Sequence, residues 1–216
     1  EEALNVETFS TDAERERYFR FGLSAREEAI VRSAFAGTGG RVLDVGCGYG
    51  RTSRPLSEMG FPVVAVDIVP RMIAEARAAT PAVRFCVMSA TDLGFADGAF
   101  DSALFSFNGI DCIVPRSKRL QALRELHRVL RPGGVLVYSA HNWAGFIVSS
   151  LGSPSRRAEL WRNVARGRLL PGYFRLRQTG GELVLHYGLP WAEVRALRAA
   201  GFSAVTVLPG KIPSRL

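Results

Sequence analysis

From residue 41 onward, short apolar runs alternate with longer stretches in which apolar positions recur every three or four residues. The runs "RVLDVG" (41–46), "PVVAVD" (62–67), "VRFCVM" (83–88), "FDSALFSF" (100–107), "GVLVYSA" (134–140) and "SAVTVL" (203–208) are rich in Val, Leu or Phe, which predicts strands. Nearly continuous apolarity, rather than strict alternation, marks strands buried on both faces. Between them, "PRMIAEARAAT" opens on Pro70, where a first helical turn tolerates proline. "SKRLQALRELHRVLRPGG" places Leu120, Leu123, His127 and Leu130 on one stripe before a Pro-Gly-Gly stop, and "PWAEVRALRAAGF" is again Pro-led and Gly-stopped. Ahead of the first strand, "TDAERERYFRFGLSAREEAIVRSAF" predicts one or two amphipathic helices, with Thr11 or Asp12 and then Ser24 as N-caps. This order of elements predicts an α/β fold, a doubly wound, mostly parallel sheet with helices on both faces.

Composition narrows the picture without changing it. The chain has 216 residues, 47% hydrophobic and 22% charged, which suits a single domain spanning 1–216. Within it, 1–40 reads as a helical cap, 41–140 as a ligand-binding core, 141–188 as an insertion or lid, and 189–216 as the last helix and strand. No run of 18 apolar residues occurs, and "EEALNVETFSTDAERER" has neither a basic leader nor an apolar core. The expectation is a cytoplasmic protein with no membrane span. Cys47, Cys86 and Cys112 lie dozens of residues apart, with no C-x-x-C and no nearby histidine pair, so neither a disulfide framework nor a metal site is expected.

Charge adds one distinctive segment. The formal net charge is +8, and between Trp143 and Gly180 seven arginines (156, 157, 162, 166, 168, 175 and 177) face a single acid, Glu159. Such a patch is either a solvated surface or an attractor for nucleic acid, anionic lipid or an acidic small substrate.

The candidate chemistry starts in "RVLDVGCGYGR". A glycine-rich turn between the first strand and the first helix sits where open α/β sheets bind ligands, and glycine lets backbone amides approach a ligand with no Cβ in the way. Asp67, which ends the second strand, can take both hydroxyls of a ribose. The spacing of Gly46, Gly48 and Gly50 is G-x-G-x-G rather than the dinucleotide G-x-G-x-x-G, and no P-loop Lys-Ser/Thr follows. Asp44 stands directly ahead of the glycines, where a carboxylate would repel a pyrophosphate but tolerate a cationic ligand such as an amino group or sulfonium.

"VLDVGCGYGR", "VVAVDIV", "SATDLGFADGAFD" and "LHRVLRPGGVLVYS", in that order, resemble the class I S-adenosylmethionine-dependent methyltransferases of the small-molecule branch, over roughly residues 41 to 140. The resemblance implies S-adenosylmethionine as cofactor and S-adenosylhomocysteine as product. It implies that the backbone of Gly46, Cys47 and Gly48 lies against the methionine moiety, with Asp44 holding its amino group directly or through water. Asp67 would bind the ribose, and Ile68 would pack on the adenine. Ala90, Thr91 and Asp92 would adjoin the adenine, Asp92 accepting from its amino group and the Leu93 amide facing the ring edge. Phe107 and Asn108 would lie beneath the transferable methyl, and Tyr18 or Arg20 would close over the cofactor. Asp101 and His127 read as structural residues.

Methyl transfer from a sulfonium is an in-line displacement that needs a base only when the nucleophile must lose a proton. His141, just after the fifth strand, is the candidate base, since histidine titrates near neutrality. Asp111, Asn142 and Tyr187 are candidate acceptor contacts, with His186 beside them. Enzymes of this fold that methylate nucleic-acid amino groups carry an Asn/Asp-Pro-Pro-aromatic tetrad after the fourth strand, where this chain reads "FNGIDC"; a small acceptor is expected and nucleic acid is not. Two alternatives stay open: a non-catalytic cofactor-binding module, and an RNA methyltransferase using the arginine-rich insertion. After "SAVTVLPG" only "KIPSRL" remains, too short for the antiparallel strand the family places beside the fifth, so that strand is missing, is supplied by "GELVLHY" (181–187), or was trimmed or disordered, and a homodimer on this edge stays open.

Overall fold

The computed structural model describes residues 2–12, 15, 22–38, 40–167, 170–178 and 181–208. Five strands, β1 (Val42–Val45), β2 (Val63–Asp67), β3 (Arg84–Val87), β4 (Phe100–Phe105) and β5 (Leu130–Tyr138), form one parallel sheet in the order β3-β2-β1-β4-β5. The chain runs outward from β1 in one direction and then returns to build β4 and β5 on its other side. The crevice that opens where this order reverses, beyond the carboxyl ends of β1 and β4, is the place such sheets bind ligands.

Side chains alternate between the two faces along each strand. Leu43, Val45, Ala103 and Phe105 pack with Leu123, Leu126 and Val129 of α5 (Arg116–Val129) and Leu197 of α8 (Pro190–Ala200). On the other face Val42, Ala65, Phe85 and Leu104 meet Val31 of α2 (Ala25–Ala34), Leu56 of α3 (Ser53–Glu58) and Ile73 and Ala76 of α4 (Pro70–Ala79). The predicted cap at Ser24 is present as a capping box: Ser24 Oγ accepts from the Glu27 amide, and Glu27 accepts from the Ser24 amide. Asp101 accepts from the Arg41 amide and pairs with Arg131 at the far end of the sheet, and the His127 ring stands edge-on to Phe202, so both serve packing as expected.

Three elements differ from the sequence reading. Helix α5 stops at Val129, and Leu130 opens β5 opposite Phe100. The register then shifts before Ser102 pairs with Val135, with the Pro-Gly-Gly inside the strand, because a Cβ on Gly134 would stand 2.8 Å from the Arg131 carbonyl. Residues 203–208 form no strand, and Val207 and Leu208 stay exposed. "GELVLHY" does not extend the main sheet either: one edge of β7 (Gly181–Tyr187) pairs antiparallel with β6 (Gly172–Gln178), and on the other edge the amide and carbonyl of Val184 are taken by the Asn5 side chain. The isolated Asn142–Gly188 bridge and the Tyr173 hydroxyl, which donates to the Ile113 carbonyl, help tie the hairpin to the core.

The insertion carries α6 (Trp143–Leu151), α7 (Pro154–Ala165) and this hairpin around a small core of its own, including Phe146, Phe174 and Leu185. Buried Asn163 joins α7 to β6 by donating to the Arg175 carbonyl and accepting from its amide. Helix α1 (Glu2–Phe9), which the sequence reading did not anticipate, covers β7: the Asn5 side chain pairs with both the carbonyl and the amide of Val184, each at 2.8 Å. Among the described residues no helix is long and apolar enough to cross a membrane.

Candidate functional site

The turn after β1 takes left-handed backbone at Gly46 (φ 62°), Gly48 (φ 55°) and Gly50 (φ 83°). Glycine adopts these angles without the steric penalty of a Cβ. A Cβ on Gly46 would also stand 2.7 Å from Phe105 Cε2, and one on Gly109 would stand 2.6 Å from the same atom. The Phe105 ring is therefore held between the glycine turn and the 3-10 turn Gly109–Cys112. Asp67, at the end of β2, accepts from the Gly48 and Val69 amides, both at 2.9 Å. Burial pushes its carboxyl above the ordinary carboxylate range, and these amides restrain the rise.

Between turn and strand ends lies a cleft of about 1100 Å³, open to solvent. Gly46, Cys47, Gly48, Asp67, Ile68, Ala90, Thr91 and Phe107 are among its lining residues. Ile68 and Phe107 remain 42% and 39% exposed, apolar surface at the cleft. Phe107 and Asn108 both sit in left-handed backbone at φ 53° and 59°, uncommon for residues other than glycine. The thiol of Cys47 is buried and pushed up by desolvation and by the carboxylates of Asp67 and Asp44, leaving its backbone, rather than a thiolate, to face the cleft.

Several sequence-predicted residues are placed elsewhere. Asp44 is fully buried and outside the cleft lining; its Oδ2 accepts from the hydroxyls of Thr52 and Ser53, both at 2.6 Å, and its Oδ1 has no hydrogen-bond partner. It braces the turn from behind, because its strand position points into the packed face rather than toward the mouth. Burial raises its pKa to about 6, with the two hydroxyls opposing the rise. Asp92 is exposed and off the lining, and Leu93 is buried with its amide donating to Glu125 Oε2 at 2.9 Å. The Leu93 amide is thus already satisfied by α5. Tyr18 and Arg20 lie outside the described residues.

On the acceptor side, the predicted groups converge on Asp111, whose carboxylate is wholly buried. Its Oδ2 accepts from the His141 amide at 2.5 Å and from His141 Nδ1 at 3.0 Å. Arg119 Nη2 lies 3.3 Å from Oδ1, and His186 Nδ1 3.6 Å. Burial would raise this carboxyl, yet the two histidines and Arg119 outweigh it and hold the pKa below the ordinary range. Arg119 also pairs with Glu193 at 2.5 Å, and the Tyr138 hydroxyl donates to Glu193. Asn108 Nδ2 contacts His141 Nε2 at 3.2 Å, and the Tyr187 ring lies against His141 with centroids 4.6 Å apart. Asn142 is spent on capping α6, accepting from the Ala144 amide. None of Asp111, His141, Asn142 and Tyr187 lines the cleft.

Other cleft residues escaped sequence reasoning. Arg51, directly after the glycine turn, lines the cleft and stands over the Phe107 ring at 4.8 Å. It makes a two-pronged pair with Glu27 at 2.8 and 3.2 Å and donates to Ser106 at 2.7 Å; Ser106 in turn donates to Glu27. Glu27 was legible as the third residue of the capping box, but not as the partner of Arg51 across 24 residues. Asn5, Val6 and Phe9 of α1 also line the cleft, with Val6 and Phe9 packed against Tyr49, Val69 and Met72.

Comparison with known proteins agrees with this architecture. Residues 42–134 match the family described as "Methyltransferase domain". The demethylmenaquinone methyltransferase of Beutenbergia cavernae is 40% identical over 121 residues, covering 55% of this chain and 49% of the relative. The malonyl-[acyl-carrier protein] O-methyltransferase of Serratia marcescens is 31% identical over 151 residues, covering 70% and 54%. The chain thus spans about half the length of these curated relatives. Among solved structures, an S-adenosylmethionine-dependent methyltransferase of Methanosarcina mazei superposes with a TM-score of 0.68 at 21% identity, over 83% of this chain and 85% of that one, a likeness of fold. With its matched domain over residues 42–134, its five-stranded parallel sheet and its glycine turn at the switch point, the chain has the fold of the S-adenosylmethionine-dependent methyltransferases and resembles them in sequence across that segment.

Proposed function

We propose that the protein transfers the methyl group of S-adenosylmethionine to an O, N or C nucleophile of a small molecule. The observation that carries this reading is one cleft lined by bare backbone at Gly46 and Gly48, a carboxylate at Asp67 and the part-exposed apolar side chains of Ile68 and Phe107. These groups suit, respectively, an amino-acid tail, ribose hydroxyls and an adenine face. When bound, the cofactor supplies an electrophilic methyl carbon on a sulfonium. The protein's part is to hold and align the reactants and to exclude water, which α1 assists by lining the cleft with Val6 and Phe9. Asp44 acts through the turn it braces, and Asp92 and Leu93 are left out of the binding set.

The acceptor is proposed to be apolar or acid-bearing. The cleft walls include Phe9, Met72 and Met88, and the relatives named above act on a demethylmenaquinone and on a malonyl-[acyl-carrier protein]. Asp111 orients His141 through Nδ1 at 3.0 Å, which leaves Nε2 to take a proton from a methyl acceptor. Asn108 donates to that nitrogen, so His141 serves as base only after the Asn108 amide moves aside. This arrangement favours a second reading, a binding module without turnover, since the dyad lies off the cleft lining. The free cysteines suit a cytoplasmic setting, and the outer edge of β5, unpaired among the described residues, leaves room for a homodimer.

Calorimetric titration with S-adenosylmethionine, S-adenosylhomocysteine and NADH, followed by a labelled-methyl screen of quinones and carboxylic acids, tests the reading. Binding of both sulfur compounds with methyl incorporation supports it. Tight NADH binding without either overturns it, and cofactor binding without incorporation into any acceptor selects the second reading.

A further inference from the structure

We propose that the outer face of α6 and α7 docks on an anionic lipid surface. Helix α6, "WAGFIVSSL", contains no charged residue, yet only one side of it is covered. Phe146 and Ser150 are buried against the insertion core, while Ala144, Val148 and Leu151, spaced four and three residues apart, form an exposed stripe. Val148 and Leu151 are 70% and 65% exposed, and Trp161 on α7 and Leu170 just beyond it are 67% and 76% exposed. Large apolar side chains scattered singly over a surface are ordinary, but these four fall within 23 residues of one subdomain.

The charge beside them has one sign. Arg156, Arg157 and Arg162 on α7 and Arg166 at its C-terminus are exposed. The single acid, Glu159, is turned inward, accepting from the Arg177 amide and pairing with Arg162. Arg157 Nη1 donates to the Leu151 carbonyl at 2.6 Å, which sets a guanidinium at the end of the apolar stripe. Arg157 and Trp161 are four residues apart and share a helix face. An uncharged apolar ridge with one tryptophan, bordered by arginines, matches the boundary between acyl chains and anionic headgroups. RNA fits less well, because it takes up charge and stacked aromatics but gains nothing from the Ala144–Val148–Leu151 ridge. Helix α6 begins two residues after His141, so docking would hold the acceptor side next to the bilayer. The docking itself does not require turnover.

The test is co-sedimentation of the full chain with vesicles of phosphatidylcholine alone and of phosphatidylcholine mixed with phosphatidylglycerol, at low and high salt. The expected result is binding to the mixed vesicles that weakens with salt. Val148→Glu with Leu151→Glu should lower the partition coefficient about tenfold or more, and Arg156→Ala with Arg166→Ala about tenfold. Trp191→Ala, at an exposed tryptophan of α8 that belongs to neither α6 nor α7, should leave binding unchanged. Melting curves confirm that each variant is folded. Equal binding to neutral vesicles, indifference to both double substitutions, or arginine-dependent binding of an RNA oligonucleotide without any to vesicles overturns the proposal.

Discussion

Replacing Glu27 by Gln should destabilise the fold in a way that depends on pH. The guanidinium of Arg51 is 7% exposed, and Glu27 is the acid that neutralises it. Burial alone would raise the Glu27 carboxyl, but the hydrogen bonds and charge of Arg51, with Ser106 and the Ser24 amide, lower it from 4.5 to about 2. A depression of that size corresponds to about 3 kcal/mol, and with Glu27 27% exposed, solvent screening reduces the expected figure to about 2 kcal/mol. The folded pKa lies below the unfolded one, so this stability is fully present above pH 4.5 and is lost as pH falls toward 2. Urea unfolding of wild type and Glu27→Gln should therefore differ by about 2 kcal/mol at pH 7, or about 4 to 8 °C in melting temperature, and by less than half of that near pH 3. The variant should also bind S-adenosylmethionine more weakly, because Arg51 lines the cleft. An equal loss at both pH values would refute the electrostatic account and assign the effect to the capping box alone.

Asp44→Asn should behave in the opposite sense. The folded pKa of Asp44 is raised to about 6, so ionising it costs stability as pH climbs from about 4 to 6; the variant, which keeps an acceptor for Thr52 and Ser53, should gain about 3 kcal/mol on wild type at pH 7 and little at pH 4, measured by urea unfolding. Gly46→Ala should lose about 2 to 4 kcal/mol, from left-handed strain plus the clash with Phe105, whereas Gly48→Ala, whose Cβ would meet only Met72 Sδ at 3.8 Å, should lose about 1 to 2 kcal/mol; equal losses would show that Phe105 yields freely. Asp67→Ala should weaken S-adenosylmethionine binding about tenfold or more by calorimetry while the melting temperature moves only a few degrees; unchanged affinity would remove Asp67 from the site.

Much of this protein was determined by the sequence alone. Four-to-six-residue apolar runs separated by amphipathic segments specify buried parallel strands, and the spacing of Gly46, Gly48 and Gly50 specifies a turn that only glycine adopts easily, because both signals depend on neighbours along the chain. Asp67 was legible for the same reason, since the last residue of β2 must emerge at the strand's carboxyl end. The tertiary structure decided whatever depends on partners distant in the chain. Residues 203–208 have the composition of a strand but pair with none of the described strands, and β7 found its partner in β6 rather than in β5. Asp44 and Leu93 were expected at the ligand, yet Thr52 and Ser53 claim the first and Glu125, 32 residues away, claims the amide of the second. Glu27 reads locally as a helix cap, and its larger role appears only when α2 packs beside the turn and brings it to Arg51. A hydrogen-bonding group is committed to whichever partner packing brings within about 3 Å, and that choice is not written in the residue or its immediate neighbours.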